Sequence, residues 1–433
     1  MTISSSLAAG VSGLNANAQR LASISDNIAN SSTFGYKRTF TDFHSMVVDS
    51  GSAGRYTAGG VRTTTERYID EAGQLQGSTN PTDIAINGRG FMPVTNEASI
   101  DLASNYPLAL MTTGSFRPDS EGYLTDAVGN VLLGWPATQD GSFPSFPRDS
   151  ADGLEPVNIF HNQYSANPTS EMTVFVNLPS GESEAGSSGD PYDMTLEYFG
   201  NLGQTESLNI TFTPTVPATG ASNQWTMSIT DSASAGAVIA EYELDFNTGA
   251  VGGGTLAAVT ALTGAAYDPA DGTVDLTVGG NTISLEIGRL NDASAITQLD
   301  STFAPSYLAK NGSTVGNLLG VEIDGGGIVR AVYDSGFTRS IYQVPVIDLP
   351  NPNGLKALDG QIYQVTVESG DMFLWDAGQG PAGETVGYSR EASTTDVANE
   401  LTQLIQTQRA YSSNAKIIQT VDEMLQETTN LKR

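Results

Sequence analysis

The sequence predicts an α+β protein that is mainly β, with antiparallel β sandwich or barrel domains in the middle of the chain and a long helix at each end. Three observations carry this. Apolar residues recur every seven positions near both termini, short runs of alternating apolar and polar residues fill the interior, and Gly, Pro, Asn and Asp punctuate those runs. At 433 residues the chain exceeds the size at which one hydrophobic core stops growing, so two or three domains are expected.

The first helix is expected from about Ser6 to Asn30. Leu7, Leu14, Leu21 and Ile28 fall seven residues apart, Val11, Ala18 and Ile24 widen the stripe, and Asn30 to Gly35 supply the stop signals. The last helix repeats the interval with Val397, Leu404, Tyr411, Ile418 and Leu425, flanked by Leu401, Ile405, Ile417, Val421 and Met424. Thr394 or Thr395 is its expected N-cap, with Asp396 and Glu400 in the first turn, where the helix dipole favours them. A narrow apolar seam on an otherwise polar helix buries little by itself, so these helices need a partner. The nine seam residues are the candidate assembly interface, in a coiled-coil-like terminal domain. Spacing leaves open whether the helices pair as the cap of an ordinary monomer or join those of other copies.

Between the helices stand period-two runs such as "DIAINGRGFMPV", "EMTVFVNL", "SLNITFTPTV", "NQWTMSITD", "AEYELDFN", "GTVDLTVGGNTISLEI" and "QIYQVTV". They read as strands joined by tight turns, and no helical pattern alternates with them, which disfavours a parallel α/β sheet. The stretch after "DGSFPSFPRDSADG" contains the low-complexity "PSGESEAGSSGDP" and "TGAVGGGTLAAVTALTGAAYDPADG". It reads as an inserted β domain. The expected organisation is a helical segment over residues 1–33, a discontinuous β domain over 34–148 with 321–392, the inserted β domain over 149–320, and a second helical segment over 393–433.

Acidic side chains number 48 against 19 basic ones, a formal net charge of −29. Between Ala151 and Arg330 the only cations are Arg289, Lys310 and Arg330, so no basic patch for nucleic acid is expected. The absence of cysteine excludes a disulfide scaffold and thiolate chemistry. No Sec-type leader and no long apolar run are visible, so neither a cleaved signal nor membrane insertion is expected. His44 and His161 lie in no metal-ligand spacing. The Asp-Gly turns "DSADGLE" and "DPADGTVD" miss the calcium-loop spacing. The glycines of "NGRGF" and "IDGGGIV" precede strands, whereas a phosphate cradle opens a helix. These residues support no catalytic, metal or cofactor site.

"ISDNIANSSTFGYKR" resembles the N-terminal signature of the bacterial flagellar axial proteins, the rod, hook and hook-associated family. "TDIAINGRGFM" with "TGSFRPDSEGYLTDAVGNVLLGW", and "ELTQLIQTQRAYSSNAKIIQTVDEMLQETTNLKR", are similar to its later blocks in the same order. "GVEIDGGGIVRAVYDSGFTRSIYQVPVIDLPNPNGLKALDGQIYQVTVESGD" and the large insertion before it resemble the hook members. The resemblance implies a structural subunit of the hook, polymerising into a curved flexible tube that acts as a universal joint between motor and filament. It also implies an extracellular place in the flagellum, with inner terminal helices and an outer inserted domain. The partners implied are copies of itself, the distal rod protein, the hook–filament junction protein, the hook cap and the flagellar type III export apparatus. A distal rod or hook-associated subunit stays open, as does, more remotely, a secreted β-rich adhesin with oligomerising terminal helices.

Overall fold

The computed structural model describes residues 3–47, 58–100, 106–138 and 141–430, so the outermost residues of the two helical segments lie outside it. The chain forms two compact units, Met1–His161 with Gly320–Ala331 and Arg339–Arg433, and Asn162–Leu319 with Val332–Thr338.

In the first unit, helix α1 spans Ile3–Ala29 and helix α2 spans Val397–Asn430. Asn30 closes α1 by donating its side-chain amide to the Asp26 carbonyl at 2.9 Å. Gly35 then turns the chain at φ +71°, a left-handed conformation that glycine adopts without a Cβ clash. The start of α2 differs from expectation. Its cap is Asp396, whose Oδ1 accepts the N–H groups of Ala398 at 2.9 Å and Asn399 at 3.2 Å. A carboxylate there also meets the positive end of the helix dipole. Thr394 instead accepts the Arg38 N–H at 2.9 Å.

Strands β1, Thr39–Ser45, and β2, Val61–Arg67, form an antiparallel hairpin against α1. The β body beyond it centres on Asn130–Pro136, which pairs with Met92–Asn96, Glu155–Pro156 and Thr338–Gln343. Val131, Leu132, Leu133 and Trp135 are all buried, so this strand has a core on both faces and reads as an unbroken apolar run. Trp135 stacks on Phe146 at 5.6 Å beside Phe91, Leu110, Ile347, Tyr363 and Leu374. The "NGRGF" glycines join Asp83–Asn87 to the strand starting at Met92, with φ +118° at Gly88 and +122° at Gly90. They make a turn between strands. Of "QIYQVTV" only Tyr363–Gln364 is strand.

The second unit holds a five-stranded antiparallel meander of Tyr192–Phe199, Thr205–Pro214, Gln224–Asp231, Ala237–Phe246 and Leu256–Thr263. Its inward residues share one core with a sheet built around Glu171–Pro179: Trp225, Phe212 and Tyr242 pack in the same cluster as Val174, Val176 and Leu285. The Thr273–Val278 and Asn281–Glu286 hairpin turns at Gly279 and Gly280, both with positive φ, the two-residue turn that matches strand twist. One feature departs from the all-antiparallel expectation. Glu171–Pro179 pairs parallel with Asn281–Glu286 and with Thr297–Leu299. The meander lying between them in sequence supplies the long crossover that a parallel pair requires.

Candidate assembly interface

Helices α1 and α2 pack antiparallel. A Cβ on Gly10 would lie 3.2 Å from Cγ1 of Ile418, and one on Gly13 would lie 2.9 Å from Nδ2 of Asn414. Nearer the C-terminal end of α1, Arg20 Nη2 donates to Gln403 Oε1 at 3.3 Å. The glycines therefore let the backbones approach closely, as small residues do at tight helix crossings.

The line of α2 with the deepest burial is Glu400, Thr407 and Val421, with half-buried Asn414 completing a seven-residue interval. Of the nine candidate residues, Leu7, Leu14, Leu21, Ile28, Leu404 and Ile418 are half-buried, and Val397, Tyr411 and Leu425 are exposed. Leu401, Ile405, Ile417 and Met424 are also exposed, Met424 by 54%. A single chain thus covers a polar line of α2 and leaves most of its large apolar side chains in solvent. Sequence reasoning missed Gly10, Gly13, Glu400, Thr407 and Asn414 because it ranked seams by apolar content; the small-residue spacing at 10 and 13 was the available signal.

The other face of α1 carries the hairpin through polar contacts. Asn27 donates to the Thr39 carbonyl at 2.9 Å and accepts the Thr39 N–H at 2.8 Å, completing a backbone residue as a neighbouring strand would. Ser23 and Thr41 hydroxyls meet at 2.7 Å, Ser12 Oγ accepts the Val61 N–H at 3.2 Å, and Thr63 donates to Gln19. Tyr36 donates to Asp26 at 3.0 Å, and burial, before the Asp26 charge, raises its phenol above the ordinary range.

A buried clamp joins the roots of the two helices. Lys37 Nζ lies 2.7 Å from Glu391 Oε1, with both side chains 3% exposed, and it also donates to the Glu71 carbonyl at 2.6 Å. Glu391 Oε1 accepts the Gly73 N–H at 2.6 Å, and its backbone carbonyl accepts Gly35 N–H at 2.8 Å. Removing one partner of such a pair strands the other charge and costs about 3–5 kcal/mol.

Among the described residues no group of three or more His, Asp or Glu side chains could hold a metal ion, and no helix is long and apolar enough to cross a membrane.

A family model described as "Flagellar basal body rod FlgEFG protein C-terminal" matches residues 386–431, and one described as "Flagella basal body rod protein" matches residues 7–37. These segments are the two helices with their roots. A solved structure of the Helicobacter pylori flagellar hook protein FlgE2 aligns with 72% of this chain and 98% of its own, at a TM-score of 0.47 and 12% identity. The flagellar hook proteins FlgE of Rhizobium meliloti and Brucella suis biovar 1 are 34% and 32% identical to this chain over 437 residues, covering 100% of both chains in each case. Identity of that extent, over an alignment that covers the helices, the β body and the inserted middle, shows that the chain belongs to the flagellar hook protein FlgE family.

Proposed function

We propose that this protein is a subunit of the flagellar hook, polymerising into a curved flexible tube that serves as a universal joint and passes torque from motor to filament. The observation that carries this reading is the apolar surface left on a helix that already has a partner. Val397, Leu401 and Ile405 recur every four residues on one exposed face of α2, and Tyr411, Ile417, Met424 and Leu425 continue the exposure along its length. Copies of the same chain are the occupants the family membership favours. On this reading the nine candidate residues act on two sides: the half-buried ones support the pair within a chain, and Val397, Tyr411 and Leu425 meet neighbouring chains.

The second unit suits the outer layer of such a tube. Its only cations among the described residues are Arg289 and Lys310, and weak wet contacts can rearrange as each row of subunits lengthens and shortens, where a large apolar interface would lock. The same reading gives the tube a distal rod protein at one end and a junction protein or cap at the other, and delivery outside the cell by the flagellar export apparatus. No catalytic step is part of it. Alignment to hook proteins through the inserted middle supports a hook subunit over a rod subunit.

Electron microscopy of purified chain under polymerising conditions tests this directly. Tubes are expected from the parent and from Gln406→Asp, which adds a charge away from the Val397, Leu401 and Ile405 face. Leu401→Asp and Ile405→Asp should give few or none, since each buries an unpaired carboxylate at a contact at a cost of several kcal/mol, about 2–5. Thermal unfolding of the β units should be the same in all four. Normal tubes from Leu401→Asp would remove the assembly role from that face.

A further inference from the structure

We infer that Arg20 and Glu400 form a buried ion pair across the α1–α2 seam in the assembled tube, and that this pair, unmade in the single chain, selects the helix register that assembles. The inference rests on the proposed hook function and adds the residues that fix the geometry of its helical layer.

Glu400 lies on the polar line of α2 that faces α1 and is 3% exposed, yet its Oε2 has no hydrogen-bond partner among the described residues. A carboxylate so deeply buried is costly to leave unmatched. Across the seam, Arg20 Nε is also buried without a partner. Among the described residues the guanidinium is held only by the long 3.3 Å bond to Gln403 and by the Phe43 ring, 5.7 Å from its centroid. Gln403 and Glu400 are three residues apart, neighbours on one helical face and about 4.5 Å apart along the axis. Rotation of the arginine side chain spans that distance.

The other nearby cation is already committed. The Glu400 charge helps to raise the pKa of Arg38, behind the larger effect of its hydrogen bond to Glu71. Arg38 Nε and Nη2 both donate to Glu71, at 2.8 and 3.0 Å. Arg20 is the cation with capacity to spare.

Assembly supplies the reason for the exchange. In the single chain the face of α2 beside the seam, with Val397, Leu401 and Ile405, stands in solvent. Once neighbouring copies cover Val397, Leu401 and Ile405, the local dielectric falls and the attraction between guanidinium and carboxylate strengthens, while a neutral glutamine gains much less. Polar groups at seam positions cost stability and specify register. Here the register they specify is the antiparallel one that sets Gly10 against Ile418 and Gly13 against Asn414 and leaves Arg20 about one helical turn from Glu400.

The test is a double-mutant cycle on assembly, using full-length parent, Arg20→Gln, Glu400→Gln and the double variant, with the critical concentration for tube formation as the readout. Each single change should raise it by about tenfold or more, and the double variant should be no worse than the poorer single. The exchanged chain, Arg20→Glu with Glu400→Arg, should recover assembly that neither reversal allows alone. Unfolding of the β units serves as the folding control and should not move. Glu400→Gln assembling as well as the parent, or single effects that simply add, would overturn the pair while leaving the hook reading intact. A parent chain that forms no tubes would overturn the hook reading, and this inference with it.

Discussion

The terminal helix pair and the middle β unit both carry periodic apolar residues and place them in opposite ways. In the β unit every second side chain turns inward, so Trp225, Phe212 and Tyr242 are fully buried against Val174, Val176 and Leu285. In the helix pair the buried line includes Glu400 and Thr407, while Leu401, Ile405 and Met424 stand in solvent. The same kind of pattern therefore completes a core in one region and leaves an unfinished surface in the other. The β unit is stable as a property of one chain. On the proposed function the helix pair gains stability from neighbouring copies.

The largest expected effect of this difference lies in amide exchange. In a monomeric sample, amides of α1 and α2 should exchange at least about a thousandfold faster than those of Leu208–Phe212 and Trp225–Ile229, because the helices open locally and the strands open only with their whole core. Equal protection in both regions would break the comparison. Next in size is a change to the sandwich core. Trp225→Ala should cost about 3–5 kcal/mol and lower one calorimetric transition by about 10 °C, with no direct effect on the helix pair. A shift below about 2 °C would mean that the middle unit does not stand on this core.

A smaller effect is confined to alkaline solution. Tyr198, which donates to Asp231 at 2.7 Å, and Tyr242, which donates to the Ala265 carbonyl at 2.9 Å, both have phenols raised above the ordinary value, by burial first and then by nearby carboxylates. A folded pKa above the unfolded value of about 10 means that this stability is present below that pH and is lost as pH rises beyond it. The β unit should therefore lose stability above about pH 10, and Tyr242→Phe should flatten that loss. An unchanged alkaline slope in Tyr242→Phe would assign the effect to other tyrosines.

Much of the architecture was legible because local period and fold agree. The alternation in Gln224–Thr230 maps residue by residue onto its burial, and both terminal helices begin and end close to where their stop and start signals stand. The parallel pairing of Glu171–Pro179 was not legible, since it depends on residues over a hundred positions away whose own runs suit either direction. The inward line of α2 was hidden for another reason. It carries Glu400, Thr407 and Asn414, which an apolar ranking passes over, and at Asn414 the close approach is one that Gly13 allows across the seam. The Asp396 cap lost out to two adjacent threonines that look equally suitable until Thr394 is seen accepting from Arg38.

The Lys37–Glu391 clamp also sets an order of events. Its partners are 354 residues apart in sequence, and the Arg20–Gln403 contact joins positions 383 apart. On the proposed function, a chain delivered from its N-terminus presents Lys37 almost at once and Glu391 only near the end. Until then α1 has no α2 to lie against, and closing so long a loop gains nothing before its last residues arrive. The β units can therefore fold while the ends remain apart. On the proposed function the clamp is a timer as well as a fastening: it closes only once residue 391 has arrived, so a subunit cut short before it cannot present a finished helix pair to a growing tube.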